Sequence, residues 1–241
     1  MTVQSSVSET LWIKICATTN LEDALASIAA GANALGFILA ASTRRVTPQT
    51  AADIVASLPG HIEKVGVVVN ESPRRLAELA DEIGLTTLQL HGDETPQQLP
   101  DYRRVLAGRK IIKTLQAREL LANADKLEGY LREHDNIDAI LLDSGVPGNR
   151  GGTGVPFDWS SALPIVARIK QVLPVIIAGG LNPDNVSEAI RIFGPWGVDV
   201  VSGVERENGL KDESKVRAFI DVARAASTAH QPSRRQTPKG Q

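Results

Sequence analysis

The 241-residue sequence is poor in cysteine, in aromatic residues and in long apolar runs. Its single cysteine, Cys16, cannot form an internal disulfide bond, which excludes a fold held together by disulfides. No apolar run approaches the roughly 20 residues of a membrane-spanning helix. Residues 1–6 lack the basic and apolar regions of a signal peptide. Together these absences predict a protein of the cytoplasm without a membrane partner.

The sequence also lacks an excess of charge of either sign. Its 26 lysines and arginines balance 28 aspartates and glutamates, which gives no sign of a nucleic-acid partner. No group of histidine, cysteine, aspartate and glutamate residues has the spacing of metal ligands, and the Gly-x-Ser-x-Gly turn of serine hydrolases is absent. The sequence therefore predicts neither a metal site nor a serine nucleophile of that kind.

Short apolar runs alternate with helical patterns along almost the whole chain. Eight runs are predicted strands, and they cover residues 11–16, 34–39, 64–70, 86–92, 110–115, 137–143, 174–180 and 197–203. The predicted helix after the fifth strand covers residues 117–132, and the last helix covers residues 212–226. Continuous apolar runs are typical of parallel strands buried on both faces. The pattern therefore predicts an α/β protein with a single (β/α)8 TIM barrel over residues 11–226.

Two features of the sequence complete this prediction. The first strand is not followed by the Gly-x-Gly-x-x-Gly turn of dinucleotide-binding folds, which disfavours an open doubly wound sheet. Residues 1–10 and 227–241 are polar and carry no periodic pattern, and we expect both segments to be disordered.

Active sites of this barrel lie at the C-terminal ends of the strands. The polar residues that follow the strands are therefore the candidates, and they are Cys16, Arg44, Asn70, His91, Asp143, residues 151–154, Gly179, Gly180, Ser202 and Gly203. Glycine lets the backbone approach an anion, and a helix N-terminus directs free N–H groups toward it. The last three loops thus predict a phosphate site formed by Gly152, Thr153, Gly154, Gly179, Gly180, Ser202 and Gly203. The alternative is that these glycines only make tight turns.

Cys16 and Asp143 are the candidate base and acid. A thiol and a carboxylic acid that face each other across one barrel mouth can move protons in opposite senses. A thiolate needs a lowered pKa, and Lys14 and Arg44 are the candidate positive charges near Cys16. Lys14 should lie on the same side of its strand as Cys16, because side chains alternate along a strand.

Each candidate also has a plainer interpretation. Cys16 can be an unreactive core residue, and Asp143 can cap a helix or a loop. Arg44 can be a solvated charge of its loop, and His91 can be a hydrogen-bonded histidine at a strand end. The residues alone therefore predict a barrel enzyme that acts on a phosphorylated small molecule by proton transfer.

Motifs spread in order through nearly all of residues 11–220 identify a family. They are Lys14-Ile15-Cys16, Gln89-Leu90-His91-Gly92-Asp93-Glu94, Arg150-Gly151-Gly152-Thr153-Gly154, Ala178-Gly179-Gly180-Leu181-Asn182-Pro183 and Ser202-Gly203-Val204-Glu205, with shorter matches at 19–24, 34–37, 65–70, 141–144, 157–159, 184–186, 198–199 and 211–212. The ordered set resembles the phosphoribosylanthranilate isomerase family of tryptophan biosynthesis. The resemblance implies an Amadori rearrangement of N-(5-phosphoribosyl)anthranilate to 1-(2-carboxyphenylamino)-1-deoxyribulose 5-phosphate, without a metal or cofactor.

The resemblance also implies a role for each candidate. Asp143 would protonate the furanose ring oxygen as general acid, and Cys16 would take the proton from ribose C2 as general base. Arg44 would pair with the anthranilate carboxylate. The glycine-rich loops would hold the phosphate, while Lys14, His91 and Asp199 would support the site. We expect a monomer or a homodimer.

Three residues depart from the family pattern, and two other functions remain open. Ala17 stands where glycine is usual, Thr43 where proline is usual, and Val201 where serine is usual. The first alternative function is isomerisation of the related histidine-pathway aminoaldose, although that reaction usually employs two aspartates. The second is a non-catalytic phosphate-binding barrel or partner subunit.

Overall fold

Eight parallel strands close into a barrel in sequence order in the computed structural model, which describes residues 10–143, 159–206 and 209–230. The strands are β1 (Trp12–Ile15), β2 (Ala34–Ile38), β3 (Glu63–Val68), β4 (Thr87–Leu90), β5 (Lys110–Gln116), β6 (Ala139–Asp143), β7 (Val175–Ala178) and β8 (Gly197–Val200). Each strand pairs with the next, and β8 pairs with β1 to close the barrel. The predicted single (β/α)8 barrel is confirmed. Of the predicted extensions at residues 1–10 and 227–241, residues 1–9 and 231–241 lie outside the described residues.

The helices surround the barrel and connect its strands. They are α1 (Leu21–Ala29), α2 (Pro48–Ala56), α3 (Pro73–Ile83), α4 (Leu99–Val105), α5 (Ala117–Ala122), α6 (Ala124–Arg132), α7 (Trp159–Lys170), α8 (Val186–Phe193) and α9 (Glu213–His230). Asn20, Thr47 and Ser72 cap α1, α2 and α3 through their side chains. Within the described residues, no helix is long and apolar enough to cross a membrane.

Two helix predictions differ from the structure. The helix predicted over residues 117–132 is two helices, because Asn123 adopts extended dihedral angles (φ −148, ψ 93) between α5 and α6. The last helix continues past Ala226 to His230, so residues 227–230, which we expected in the tail, are helical. No glycine or proline follows Ala226 within this stretch, and a polar composition alone does not end a helix.

Alternation along the strands divides the core into two layers. Residues that point outward pack under the helices, whereas a smaller cluster fills the barrel interior. That inner cluster consists of Trp12, Ala34, Val65, Ile112, Ala139, Leu141, Ile176 and Ala178, with Trp196 packed against it. Closer to the C-terminal ends of the strands, buried polar residues replace the apolar ones, among them Lys14, Gln89 and Asp199. This polar layer lies beneath the mouth of the barrel.

Candidate functional site

A cavity of about 300 Å³ opens at the C-terminal ends of the barrel strands. Seven of the residues singled out in the sequence line it, and they are Cys16, His91, Asp143, Gly179, Gly180, Asp199 and Ser202. The barrel therefore brings together residues that lie as far apart in the sequence as Cys16 and Ser202. Lys14, Arg44 and Gly203 are not part of the cavity wall.

Cys16 lies directly after β1 and is held close to β8 and β2. Its backbone N–H donates to the carbonyl of Val200 at 2.9 Å, and its side chain is almost completely buried. A Cβ atom on Gly36 of β2 would lie 2.5 Å from Sγ of Cys16 and 2.9 Å from Cε of Lys14. The missing side chain of Gly36 thus makes the space in which the thiol and the lysine lie together. Ala17, the next residue, has a left-handed backbone with φ 62.

Lys14 lies beneath Cys16 and forms an ion pair with Asp199. These residues are register partners on β1 and β8, and Nζ lies 2.8 Å from Oδ1 of Asp199. Burial lowers the pKa of Lys14, but Asp199 and Cys16 together raise it to a value above the ordinary one. Lys14 is therefore charged, and it lies on the same side of the strand as Cys16, as predicted.

The pKa of Cys16 has the opposite net direction from the one predicted. Burial raises the pKa of the thiol, and although Lys14 lowers it, the balance lies above the ordinary value. Lys211, which the sequence did not single out, also lowers the pKa of Cys16. The prediction identified the correct cation, but it neglected the desolvation that accompanies a buried position.

Asp143 and His91 lie on other parts of the cavity wall. Asp143 is the last residue of β6 and is partly exposed to the cavity. Nδ1 of His91 lies 3.2 Å from Nε2 of Gln89, which also donates to the hydroxyl of Thr114 at 3.1 Å. Burial lowers the pKa of His91, which Asp143 raises by a smaller amount, so His91 is uncharged near neutral pH.

Arg44 does not extend freely into solvent, so its interpretation as a solvated charge is wrong. Its Nε donates to Oε1 of Glu205 at 2.8 Å, and Nη2 donates to Oε2 at 2.6 Å. Glu205 also accepts a hydrogen bond from Lys211 at 3.3 Å. Neither Glu205 nor Lys211 was predicted as a site residue. The signal for them was a group of charged residues in the loop that follows the last strand.

The structure describes two of the three loops predicted to bind phosphate, those after β7 and β8. Gly179 and Gly180 have φ angles of 90 and 68, which side chains adopt only with strain. A Cβ atom on Gly203 would lie 1.9 Å from the carbonyl oxygen of Leu181, so close packing of the loops after β7 and β8 requires glycine there. A Cβ atom on Gly180 would have no heavy atom within 4 Å, so the space beside this residue is open. Gly152, Thr153 and Gly154 lie outside the described residues.

Known proteins resemble the chain over nearly its whole length. Residues 13–222 match the family model of N-(5'-phosphoribosyl)anthranilate (PRA) isomerase. The chain is 44% identical over 214 residues to the N-(5'-phosphoribosyl)anthranilate isomerase of Pseudomonas putida, covering 88% of this chain and 97% of that protein.

Two solved structures share the fold. The phosphoribosyl anthranilate isomerase of Thermotoga maritima has a TM-score of 0.76 and 38% identity, covering 89% of this chain and 99% of that one. A phosphoribosyl anthranilate isomerase in complex with reduced 1-(o-carboxyphenylamino)-1-deoxyribulose 5-phosphate has a TM-score of 0.73 and 36% identity, with the same coverage. The chain therefore belongs to the N-(5'-phosphoribosyl)anthranilate isomerase family, the isomerases of tryptophan biosynthesis.

Proposed function

We propose that the chain rearranges N-(5-phosphoribosyl)anthranilate by proton transfer between Asp143, Cys16 and the substrate. The observation that carries this proposal is that a carboxyl group and a thiol line one cavity, with a buried lysine beneath the thiol. Proton transfer by a positioned side chain requires the acid and the base to reach the same bound molecule. The cavity volume of about 300 Å³ suits one bound small molecule.

Asp143 acts first, as the general acid. It donates a proton to the furanose ring oxygen while the bond between that oxygen and C1 breaks. The bonding electron pair stays on the oxygen, and the lone pair of the anthranilate nitrogen forms a double bond to C1. The product of this step is an open-chain iminium ion, and Asp143 is left as a carboxylate.

Cys16 acts second, as the general base. The iminium group makes the proton on C2 acidic, and the thiolate removes it to give a neutral enolamine. Tautomerisation of the enolamine then yields the ketone. Lys14 supports this step because its positive charge stabilises the thiolate in a site that otherwise disfavours charge.

The remaining residues would bind the two ends of the substrate. Gly179, Gly180 and Ser202 line the cavity beside the turn containing Gly203, which suits a phosphate group. The apolar side chains of Ile38, Val67 and Val69 line the same cavity near the ends of β2 and β3 and suit an aromatic ring. Arg44 follows β2 and would meet the carboxylate attached to that ring.

Complementation of a tryptophan auxotroph that lacks this isomerase tests the proposal. We expect the wild-type chain to restore growth, and failure despite soluble expression would contradict the assignment. Cys16→Ser and Asp143→Asn should each lower kcat by about a hundredfold or more, because each removes a proton-transfer group. Asp135→Asn is the matched control, since the Asp135 side chain is 91% exposed and lies outside the cavity wall.

A further inference from the structure

Arg44, Glu205 and Lys211 form an ion-pair cluster beside the cavity, and the proposed proton transfers do not require Glu205. Glu205 is the central member, and its side chain is only 5% exposed. Both of its carboxylate oxygens accept hydrogen bonds from Arg44, and Oε1 also accepts one from Lys211. A buried carboxylate with two cationic partners is expensive to maintain unless its geometry is well satisfied. Such a cost indicates that the buried position of Glu205 has a role at the site.

The orientation of the Arg44 guanidinium group is defined by this cluster. Glu205 occupies the edge formed by Nε and Nη2, with distances of 2.8, 3.1 and 2.6 Å. A guanidinium group is planar and can form a second two-point interaction along its other edge, between Nη1 and Nη2. Among the described residues, Nη1 of Arg44 makes no hydrogen bond. Within the described residues, Glu205 thus fixes one edge, and the other edge makes no two-point contact and can accept an anion.

Glu205 is itself fixed from several directions. Its backbone N–H donates to Ser202 at 3.1 Å, and its carbonyl oxygen accepts a hydrogen bond from Lys215 at 2.9 Å. An isolated antiparallel β-bridge between the backbones of Glu205 and Lys211 closes the loop after β8. Because Ser202 lines the cavity, the turn that carries Glu205 begins at the proposed phosphate end of the site.

Lys211 keeps the cluster attractive to an anion. A pair made of Arg44 and Glu205 alone would be electrically neutral and would attract a substrate carboxylate only weakly. Burial lowers the pKa of Lys211, and Glu205 raises it by a smaller amount. When protonated, Lys211 offsets the charge of Glu205, so the three side chains then carry one net positive charge. Burial raises the pKa of Glu205, but its contacts with Arg44 and Lys211 lower it below the ordinary value, which keeps Glu205 ionised near neutral pH.

We propose that Glu205 is the positioning residue that directs the free edge of Arg44 toward the substrate carboxylate and thereby sets the preference for a carboxylated ring. This inference rests on the proposed function, because it assumes that Arg44 binds the carboxylate. Thr43, which stands where the family usually has proline, leaves the position of Arg44 more dependent on a contact from outside its own loop. Glu205, which lies 161 positions from Arg44 in the sequence, supplies that contact.

The test compares two ligands that differ only in the carboxylate. They are reduced 1-(o-carboxyphenylamino)-1-deoxyribulose 5-phosphate and the same compound with an unsubstituted phenyl ring, and the dissociation constant of each is measured by calorimetry. The wild-type protein should prefer the carboxylated ligand. In Glu205→Gln that preference should fall by about tenfold, because loss of the charge-assisted contact that orients Arg44 outweighs the added net positive charge of the cluster. In steady-state kinetics, KM should rise more than kcat falls.

A matched control and a second variant keep the result interpretable. Arg168 and Glu128 form the same two-point pair away from the cavity, with both distances at 2.8 Å, so Glu128→Gln should leave the ligand preference unchanged. Glu205→Asp shortens the side chain but keeps its charge, and it should also reduce the preference. It takes the place of Glu205→Gln in the test if Glu205→Gln does not fold. Circular dichroism establishes which variants are folded.

The outcomes separate this inference from the proposed function. If the wild-type protein binds both ligands equally well, Arg44 does not bind the carboxylate, and the inference fails with that part of the proposed function. If the wild-type protein prefers the carboxylated ligand and a folded Glu205 variant keeps the full preference, the inference alone is wrong. Equal weakening of both ligands would show a general structural role and would also overturn it.

Discussion

Two buried lysine–carboxylate pairs in this barrel have nearly the same geometry but different surroundings. Lys14 on β1 lies 2.8 Å from Asp199, and Lys113 on β5 lies 2.7 Å from Glu94. The side chains of both lysines are at most 1% exposed. Lys14 points into the barrel toward Cys16, whereas Lys113 lies on the helix side with the ring of Tyr130 6.0 Å away.

The second pair belongs to a network that fixes backbone. Besides Glu94, the ammonium group of Lys113 donates to the carbonyl oxygens of Leu90 and Gly92 at 3.2 and 2.7 Å. Glu94 accepts hydrogen bonds from the backbone N–H groups of Asn70 and Gly92. Such a fully satisfied network stabilises the two loops that it joins, after β3 and β4.

The comparison teaches that a buried ion pair does not by itself indicate catalysis. Burial lowers the pKa of both lysines, but the net pKa is raised for Lys14 and lowered for Lys113. The difference arises from the neighbours, since Lys14 faces the thiol of Cys16 in addition to its carboxylate partner. We therefore infer that Lys14 tunes the proposed base, whereas Lys113 holds loops in place.

Replacement of Lys113 should give the largest effect, and that effect should be on stability. Lys113→Met leaves Glu94 buried and unpaired, so the free energy of unfolding should fall by about 3–5 kcal/mol. Denaturant unfolding measures this loss. The pH dependence of kcat/KM should keep its wild-type midpoint, and a shifted midpoint would remove the distinction between the two pairs.

Replacement of Lys14 should change the pH dependence of activity. In the proposed mechanism the base is a thiolate, so kcat/KM should rise as the pH increases through the pKa of Cys16. Lys14 lowers that pKa, so Lys14→Met should move the rising limb to higher pH. An unmoved limb in a folded variant would contradict the tuning role.

Substitution of the left-handed residue near each lysine–carboxylate pair should have the smallest effect on stability. Ala17 follows Cys16 with φ 62, and Asn70, which is bonded to Glu94, has φ 54. Glycine relieves strain at such angles, so Ala17→Gly should stabilise the protein by up to about 1 kcal/mol. Asn70→Gly should destabilise it, because asparagine tolerates this conformation and its Oδ1 accepts a hydrogen bond from the N–H of Asp93. Thermal unfolding of both variants measures the contrast, and equal shifts would show that side-chain bonding is irrelevant there.

The sequence predicts most of the framework and the near neighbours of the thiol. The alternation of side chains is enough to place Lys14 beside Cys16, and the barrel topology is enough to bring Asp143 to the same mouth. The break at Asn123 was missed because the helical periodicity continues through it. It depends on a backbone conformation that the composition does not reveal.

The energetic balance within the site was harder to predict. The net pKa of Cys16 depends on how much water its final position excludes, and no local motif encodes that quantity. The contacts of Glu205 with Arg44 join loops that are distant in the sequence, so the residue types alone did not assign them.

The pH dependence of alkylation by iodoacetamide is the most direct test of the account, because Cys16 is the only thiol in the chain. The alkylation rate follows the thiolate fraction and so reports the pKa of Cys16 without requiring substrate. In the wild-type protein the midpoint should lie above the ordinary value for a thiol of about 8.5. It should rise further in Lys14→Met and stay unchanged in Lys113→Met. A wild-type midpoint below the ordinary value, or equal midpoints in wild type and Lys14→Met, would contradict the account.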